Sequence, residues 1–323
     1  MRSSCGEKKV LEELAGGKKT LWELLASYPW SLEDFARTLN GLHRKGWIRV
    51  EGGLIRAAVP VRKRALRSLR CPACGRAVVL EGHGELERKF GELVRERPKP
   101  DTGYLQGYMR EEDVWARIAL MHHYEEVEGK SIVLVGDDDL VGLALALTGL
   151  PERITVLDID RRLGEFLERV GRREGLEVEF VEYDVRHPLP RELRGRFEVF
   201  VTDPPEDQKG LRAFLCRAVC ALRPTGSSGY FGLTALESPP ERWLWLQRWL
   251  SRRNLVLTDI LRDHSRYPTR EYGVGLTYEE PLLRELEFEY RAPPSVDWYR
   301  SAFLRVTAVG RVRPTACGRR LPL

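Results

Sequence analysis

The chain has 323 residues, 42% of them hydrophobic and 31% charged, which supports folded cores and excludes a disordered chain. With 53 Lys and Arg against 48 Asp and Glu the net charge is +5, short of the lopsided balance of a dedicated nucleic-acid binder. No apolar run reaches the roughly 18 residues of a membrane span, and the first residues, MRSSCGEKKVLEELAGG, lack a signal peptide's apolar stretch, so neither insertion nor export is expected.

A cytoplasmic protein is the expectation. Abundant Arg and Glu beside only 3 Met leans toward a thermophile. The 6 cysteines, at positions 5, 71, 74, 216, 220 and 317, show no secreted disulfide spacing and are read as reduced thiols.

In chain order, VLEELAGG and TLWELLASY read as short helices. A capping box at Ser31 with Asp34 then precedes the helix FARTLNGLHRKG, and WIRVEGGLIRA reads as two strands around Glu51-Gly52-Gly53. This order resembles a winged helix-turn-helix. The third helix would offer Arg37, His43, Arg44 and Lys45 to DNA but carries Glu33 and Asp34 at its leading end, so scaffolding or oligomerisation is the preferred role and nucleic acid is not expected as a partner. Cys71 and Cys74 form a lone CxxC, with His83 as a third ligand for a structural zinc and no fourth nearby.

The charged, proline-bearing stretch RERPKPDTG marks a linker and divides the chain into residues 1–100 and 101–323. A turn through Tyr104, Gln106, Gly107 and Tyr108 leads into a helix with Val114, Ile118 and Met121 on its apolar face and His122 and His123 on a solvated one. From Ser131 strands alternate with helices, with strands expected at 131–135, 154–158, 178–183, 197–202, 228–233, 255–260 and 302–309. Five parallel strands and a final antiparallel pair make an α/β fold, the methyltransferase-like variant of the doubly wound Rossmann sheet. In ERWLWLQRWL, the spacing of Trp243, Leu246 and Trp249 reads as a core face.

The chemistry gathers at the strand ends, where ligands of such sheets bind. After the first of these strands comes Gly136-Asp137-Asp138-Asp139, where a dinucleotide site would place glycines against a pyrophosphate. One aspartate there is a helix cap; three repel a phosphate and one another, and so imply a cationic ligand. Asp158, 22 positions after Gly136, is placed to accept from ribose hydroxyls, with Asp160 ranked below it as a helix cap. Asp184 follows the next strand and is placed to accept from an adenine amino group. In FVTDPPE the prolines stiffen a turn whose carbonyls near Asp203 and Pro204 can accept from an amine, and Glu206 and Asp207 extend the acidic surface.

Together YLQGY, GDDD, VLDID and DPPE, followed by GYFG and DWYRS, resemble the N(4)-bis(aminopropyl)spermidine synthases, the branched-chain polyamine synthases of thermophiles, over residues 104–309. The resemblance implies transfer of an aminopropyl group from decarboxylated S-adenosylmethionine, a co-substrate, to the secondary amine of spermidine. It implies that Asp139 holds the donor's ammonium, with Tyr104, Gln106, Gly136, Asp158 and Asp184 around the donor. Asp137 or Asp138, with Asp203 and the Pro204 carbonyl, would orient and deprotonate the acceptor nitrogen, aided by Tyr108 and Glu206. No metal enters the site, and a homodimer is expected. The segment 263–301 reads either as a cover over the acceptor, with Asp263, Glu279 or Glu280 near its far ammonium, or as a solvated connection. The rival readings are an S-adenosylmethionine-dependent N-methyltransferase and a polyamine-sensing DNA-binding regulator.

Overall fold

Short apolar runs become strands and amphipathic runs become helices along the whole chain in a computed structural model that describes residues 5–29, 32–61, 65–71, 77–104, 106–234, 236–268, 271, 284 and 297–323. Contacts divide the chain into two compact units: Met1–His83 with Ala119–Glu125, and Gly84–Ile118 with Glu126–Leu323.

In the first unit, α1 (Cys5–Leu14) is followed by β1 (Lys19–Thr20), α2 (Leu21–Ser27), α3 (Leu32–Arg44), β2 (Ile48–Glu51) and β3 (Leu54–Ala57). Strand β3 pairs antiparallel with both β2 and β1, and Gly52 and Gly53 take the positive φ values that the turn requires. Val10, Leu24, Phe35, Leu42, Ile48 and Ile55 form the core. A capping box stands at Thr20 and Glu23, ahead of α2; Ser31, where one was expected, lies outside the described residues. Arg37, His43 and Arg44 are exposed, while Lys45 pairs with Glu7 at 2.6 Å. Cys71 follows β4 (Arg67–Arg70), which pairs with β5 (Val78–Glu81); Cys74 is outside the described residues. Among the described residues no group of His, Cys, Asp and Glu could hold a metal ion.

The second unit contains α4 (Gly84–Val94), most of α5 (Glu111–His123) and a seven-stranded sheet. Its elements alternate as β6 (Ser131–Val135), α6 (Val141–Thr148), β7 (Arg153–Asp158), α7 (Arg161–Glu174), β8 (Glu179–Glu182), β9 (Val199–Thr202), α8 (Gln208–Ala221), β10 (Ser228–Leu233), α9 (Pro240–Ser251), β11 (Leu255–Tyr267) and β12 (Tyr299–Ala308). The order across the sheet is β11-β12-β10-β9-β6-β7-β8, with β12 antiparallel to both neighbours. This is an α/β fold on a mostly parallel sheet; β6 pairs parallel with both β7 and β9, and the order in which the chain adds strands switches sides between β6 and β9, where such sheets open a binding crevice. Every residue of β6, β9 and β10 is buried, as expected of strands covered by helices on both faces. Leu246 and Trp249 are core residues and Trp243 packs against them. No described helix is long and apolar enough to cross a membrane.

Two expectations are corrected. His122 and His123 do not lie on a solvated face: they are 3% and 4% exposed, because α5 is covered on nearly every side, beyond the stripe that periodicity marks. Cys220 of α8 and Cys317 are joined in a disulfide across 97 residues of sequence, so these two are not free thiols. Spacing carries no sign of that bond, which depends on where the segment after β12 folds back; Cys5, Cys71 and Cys216 are free.

Candidate active site

A cleft of about 710 Å³ opens beyond the carboxyl ends of β6, β7, β8 and β9. At one end it has an apolar lining from Leu157, Ile159, Val185 and Phe214, suited to a flat aromatic ring. Around that lining the aspartates are satisfied. Asp158, ending β7, accepts from the backbone N–H of Asp137 at 3.0 Å and of Asp160 at 2.8 Å. Asp160 caps α7 and takes hydrogen bonds from the Arg162 guanidinium and, at 3.0 Å, from the Gln106 amide. Gln106 is fixed in turn by accepting from the Asp101 N–H at 2.8 Å. Asp184 accepts from the Arg186 Nε at 2.7 Å and from its N–H at 2.9 Å. Burial alone would raise the pKa values of Asp160 and Asp184, but the hydrogen bonds from Arg162, Gln106 and Arg186 win and hold both below the usual carboxylate range.

The turn after β6 behaves differently. Gly136 has φ 72° and Leu140 φ 62°, and between these two left-handed residues the three aspartates leave the sheet. Asp137 is 3% exposed and turns back to accept from the Gly142 N–H at 2.9 Å, serving α6, whose own cap position, Leu140, offers no side-chain bond. Asp138 accepts from the Gly107 N–H at 3.2 Å and Asp139 from the Met109 N–H at 2.7 Å, so the Gln106–Met109 turn is strapped over the acids. Tyr108 in that turn is buried, donates to the Pro98 carbonyl at 2.7 Å and lies under the Arg97 guanidinium. Tyr104 is exposed at the mouth. Burial, aggravated by neighbouring carboxylates, pushes Asp137 and Asp138 well above the ordinary carboxylate range and Asp139 up to about 7.

Opposite this turn stands Asp203, at the end of β9. The guanidinium of Arg117, a 1%-exposed residue of α5, donates to its Oδ2 at 2.8 Å, and the Tyr267 hydroxyl donates to the same oxygen. Arg117 is itself held by the Ser265 hydroxyl at 3.0 Å. Burial opposes its charge, but Asp203, Tyr267 and Asp139 raise its pKa further still, so it is a permanent cation. The other oxygen of Asp203 rests on Gly232, where a Cβ would come within 1.8 Å of it.

Pro204 and Pro205 continue this wall. Glu206 also lines it, but its oxygens accept from the Thr234 N–H and from the Ser238 hydroxyl at 2.8 Å; burial pushes its carboxyl up to about 8. Asp207 caps α8. Glu237 accepts from the Tyr299 hydroxyl, and both line the cleft with Tyr267 and Ser301.

Of the residues expected to form the site, Tyr104, Gln106, Tyr108, Gly136, Asp138, Asp139, Asp158, Asp184, Asp203, Pro204 and Glu206 line this cleft; Asp137 does not, since it turns back to Gly142 and lines a small separate cavity with Arg117 and Asp203. Of the expected cover residues, Asp263 lies on exposed β11 backbone, and Glu279 and Glu280 are outside the described residues. Sequence reasoning missed Arg117, Tyr267, Tyr299 and Glu237. Only Tyr299 lay inside a quoted motif, DWYRS, without a role; an arginine within an apolar helix was the available sign of Arg117.

Residues 85–316 match the family model described as the branched-chain polyamine synthase A C-terminal domain. The chain is 39% identical over 239 residues to the N(4)-bis(aminopropyl)spermidine synthase of Thermococcus kodakarensis, covering 73% of this chain and 66% of that protein. To the Thermus thermophilus enzyme of the same name it is 37% identical over 296 residues, 91% of this chain and 84% of the relative. It also resembles, with TM-score 0.68 and 33% identity over 98% of this chain and 90% of that one, the crystal structure of the Thermus thermophilus branched-chain polyamine synthase in complex with N4-aminopropylspermidine and 5'-methylthioadenosine.

Proposed function

The chain belongs to the branched-chain polyamine synthases, and from that premise we propose that it transfers the aminopropyl group of decarboxylated S-adenosylmethionine to the secondary amine of spermidine, giving N4-aminopropylspermidine and then N(4)-bis(aminopropyl)spermidine. The observation that carries this reading is the buried acidic turn Asp137 to Asp139, facing Asp203 across a cleft whose other end is apolar. Such a cluster is relieved by taking up protons or by binding cations, so cationic reactants are favoured there. Intact S-adenosylmethionine carries a carboxylate that the cluster repels, which weighs against the methyltransferase reading.

In this scheme the nucleoside lies on Ile159 and Phe214, with Asp158 toward the ribose and Asp184 toward the adenine amino group. Asp139 receives the donor's ammonium. Asp138, whose affinity for a proton is raised by burial and then by neighbouring carboxylates, takes the proton from the central nitrogen of spermidine. The neutral nitrogen attacks the carbon bonded to sulfur; a C–N bond forms, the C–S bond breaks, and the sulfonium leaves as the neutral thioether 5'-methylthioadenosine. Asp203, clamped by Arg117 and Tyr267, orients the acceptor with the Pro204 carbonyl, and Glu237 and Glu206 receive its outer ammonium groups. Residues 101–323 carry this chemistry; residues 1–100 form a winged-helix-like module, supported by the order of α1 to β3, that serves assembly of a homodimer. The zinc expected at Cys71 and Cys74 has no part in this scheme, and among the described residues no group of His, Cys, Asp and Glu could hold it.

Mass spectrometry of products from spermidine and decarboxylated donor tests the proposal. Mass gains of one and two aminopropyl groups are expected, with no product from intact S-adenosylmethionine; methylated spermidine would overturn it.

A further inference from the structure

The segment after β12 runs back across the second unit and ends at the cleft. Val312 donates its N–H to the Pro224 carbonyl at 2.7 Å, Leu189 donates to the Cys317 carbonyl at 3.1 Å, and Leu321 donates to the Arg186 carbonyl at 2.8 Å. The buried Arg217 of α8 is the hub of this arrangement. It donates to the Ala316 carbonyl at 2.7 Å and the Arg319 carbonyl at 2.8 Å on one side, and to the Val185 carbonyl at 2.9 Å on the other. The disulfide from Cys220, one turn further along α8, fixes Cys317 to the same helix. Leu321 is thereby buried and Leu323 joins the lining of the cleft beside Asp184 and Arg186. The family match stops at residue 316, so it does not cover the last part of this wall.

We propose that residues 311–323 form the outer wall of the nucleoside end of the cleft, and that the Cys220–Cys317 bond, by holding the wall against α8, sets how tightly the donor nucleoside and the spent thioether are held. This rests on the reading of the cleft as an aminopropyltransferase site. Reduction takes two electrons and two protons from a dithiol, yields the two thiols and leaves the segment held by hydrogen bonds alone, those of Arg217 and of the backbone at Val312, Cys317 and Leu321, with no covalent tie to α8. The nucleoside then loses part of its enclosure, while the acidic turn and the Asp203 wall, carried by β6 and β9, are untouched.

The test is calorimetry with 5'-methylthioadenosine on the oxidised protein, on the dithiothreitol-reduced protein and on Leu323→Ala, which keeps the bond. A dissociation constant raised about tenfold by reduction and several-fold by Leu323→Ala, with the spermidine KM within twofold of the oxidised enzyme, is expected. A purely structural bond would lower the melting temperature and leave nucleoside affinity unchanged in the folded protein, and that result would overturn the proposal. Should the reduced protein unfold, unchanged affinity in Leu323→Ala would overturn it equally. Oxidised protein that binds no 5'-methylthioadenosine would remove the functional reading and this proposal together, whereas equal binding by oxidised and reduced protein would remove only this proposal.

Discussion

The two ends of the cleft use the same residue and treat it oppositely. At the end proposed for the nucleoside, Asp160 and Asp184 each face an arginine and hold their protons more weakly than a free carboxylate, whereas burial raises Asp158, which has only backbone N–H groups to offset it. At the end proposed to react, Asp137, Asp138 and Asp139 are consecutive in one buried turn, and burial and mutual repulsion raise their affinity for protons. The arginine-paired acids are settled before any ligand arrives, which suits the recognition role proposed for that end. The acidic turn is left frustrated, and its relief is available to a cation; binding and deprotonating an amine draw on the same electrostatic imbalance.

Asp139→Asn attacks the frustrated end directly and should lower kcat/KM by about 10³-fold, chiefly through donor affinity, as read by steady-state kinetics with both substrates varied. Asp203→Asn should lower turnover more than affinity, and it strips buried Arg117 of its counter-charge. A loss of about 3–5 kcal/mol, or roughly 10 °C in melting temperature, should accompany the lost activity in a scanning calorimeter. If Asp203→Asn melts like the parent, the ion pair is not the clamp described above. The rate should also fall about tenfold per pH unit below about 7, the value to which burial and Asp203 push Asp139, because the protonated acid no longer attracts an ammonium. A profile flat from pH 6 to 8 would show that this acid does not govern binding. Asp184→Asn, at the settled end, should raise the donor KM by about tenfold at most and leave the pH profile in place.

The smallest effect is the most diagnostic. A carboxyl whose folded pKa is raised contributes stability that is fully present below its ordinary value of 3.8 and is lost as pH rises through about 7. Without ligand, Asp139→Asn should therefore melt a few degrees above the parent at pH 8 and indistinguishably from it at pH 4, while being far less active. Spermidine should raise the parent's melting temperature more at pH 8 than at pH 6.

Much of this contrast is legible in the sequence, because strand ends in a doubly wound sheet point one way and the acids recur at each of them. Apolar β-branched runs such as SIVLV and RITVL leave little choice of structure, and GDDD and DPPE stand where those strands stop. Arg162 and Arg186 stand two residues from the acids they hold, Asp160 and Asp184, but the partners of Asp203 are not legible. Arg117 lies in DVWARIAL and Tyr267 at the end of β11, 86 and 64 residues from Asp203, and only the crossing of α5 with β11 brings them to it. His122 and His123 misled for the complementary reason: periodicity marks one buried face, and α5 is covered on more than one. The Cys220–Cys317 bond depends on a segment with neither periodicity nor motif.

Leu140 has a consequence for anyone wishing to improve this catalyst. It is wholly buried, not a glycine, and held at φ 62°, a left-handed conformation that costs about 1–2 kcal/mol. Leu140→Gly would remove that steric conflict and also the packing that tells the loop where to point. Selection for heat tolerance alone would drift toward such relaxed loops, so a screen should score product formation alongside survival at high temperature.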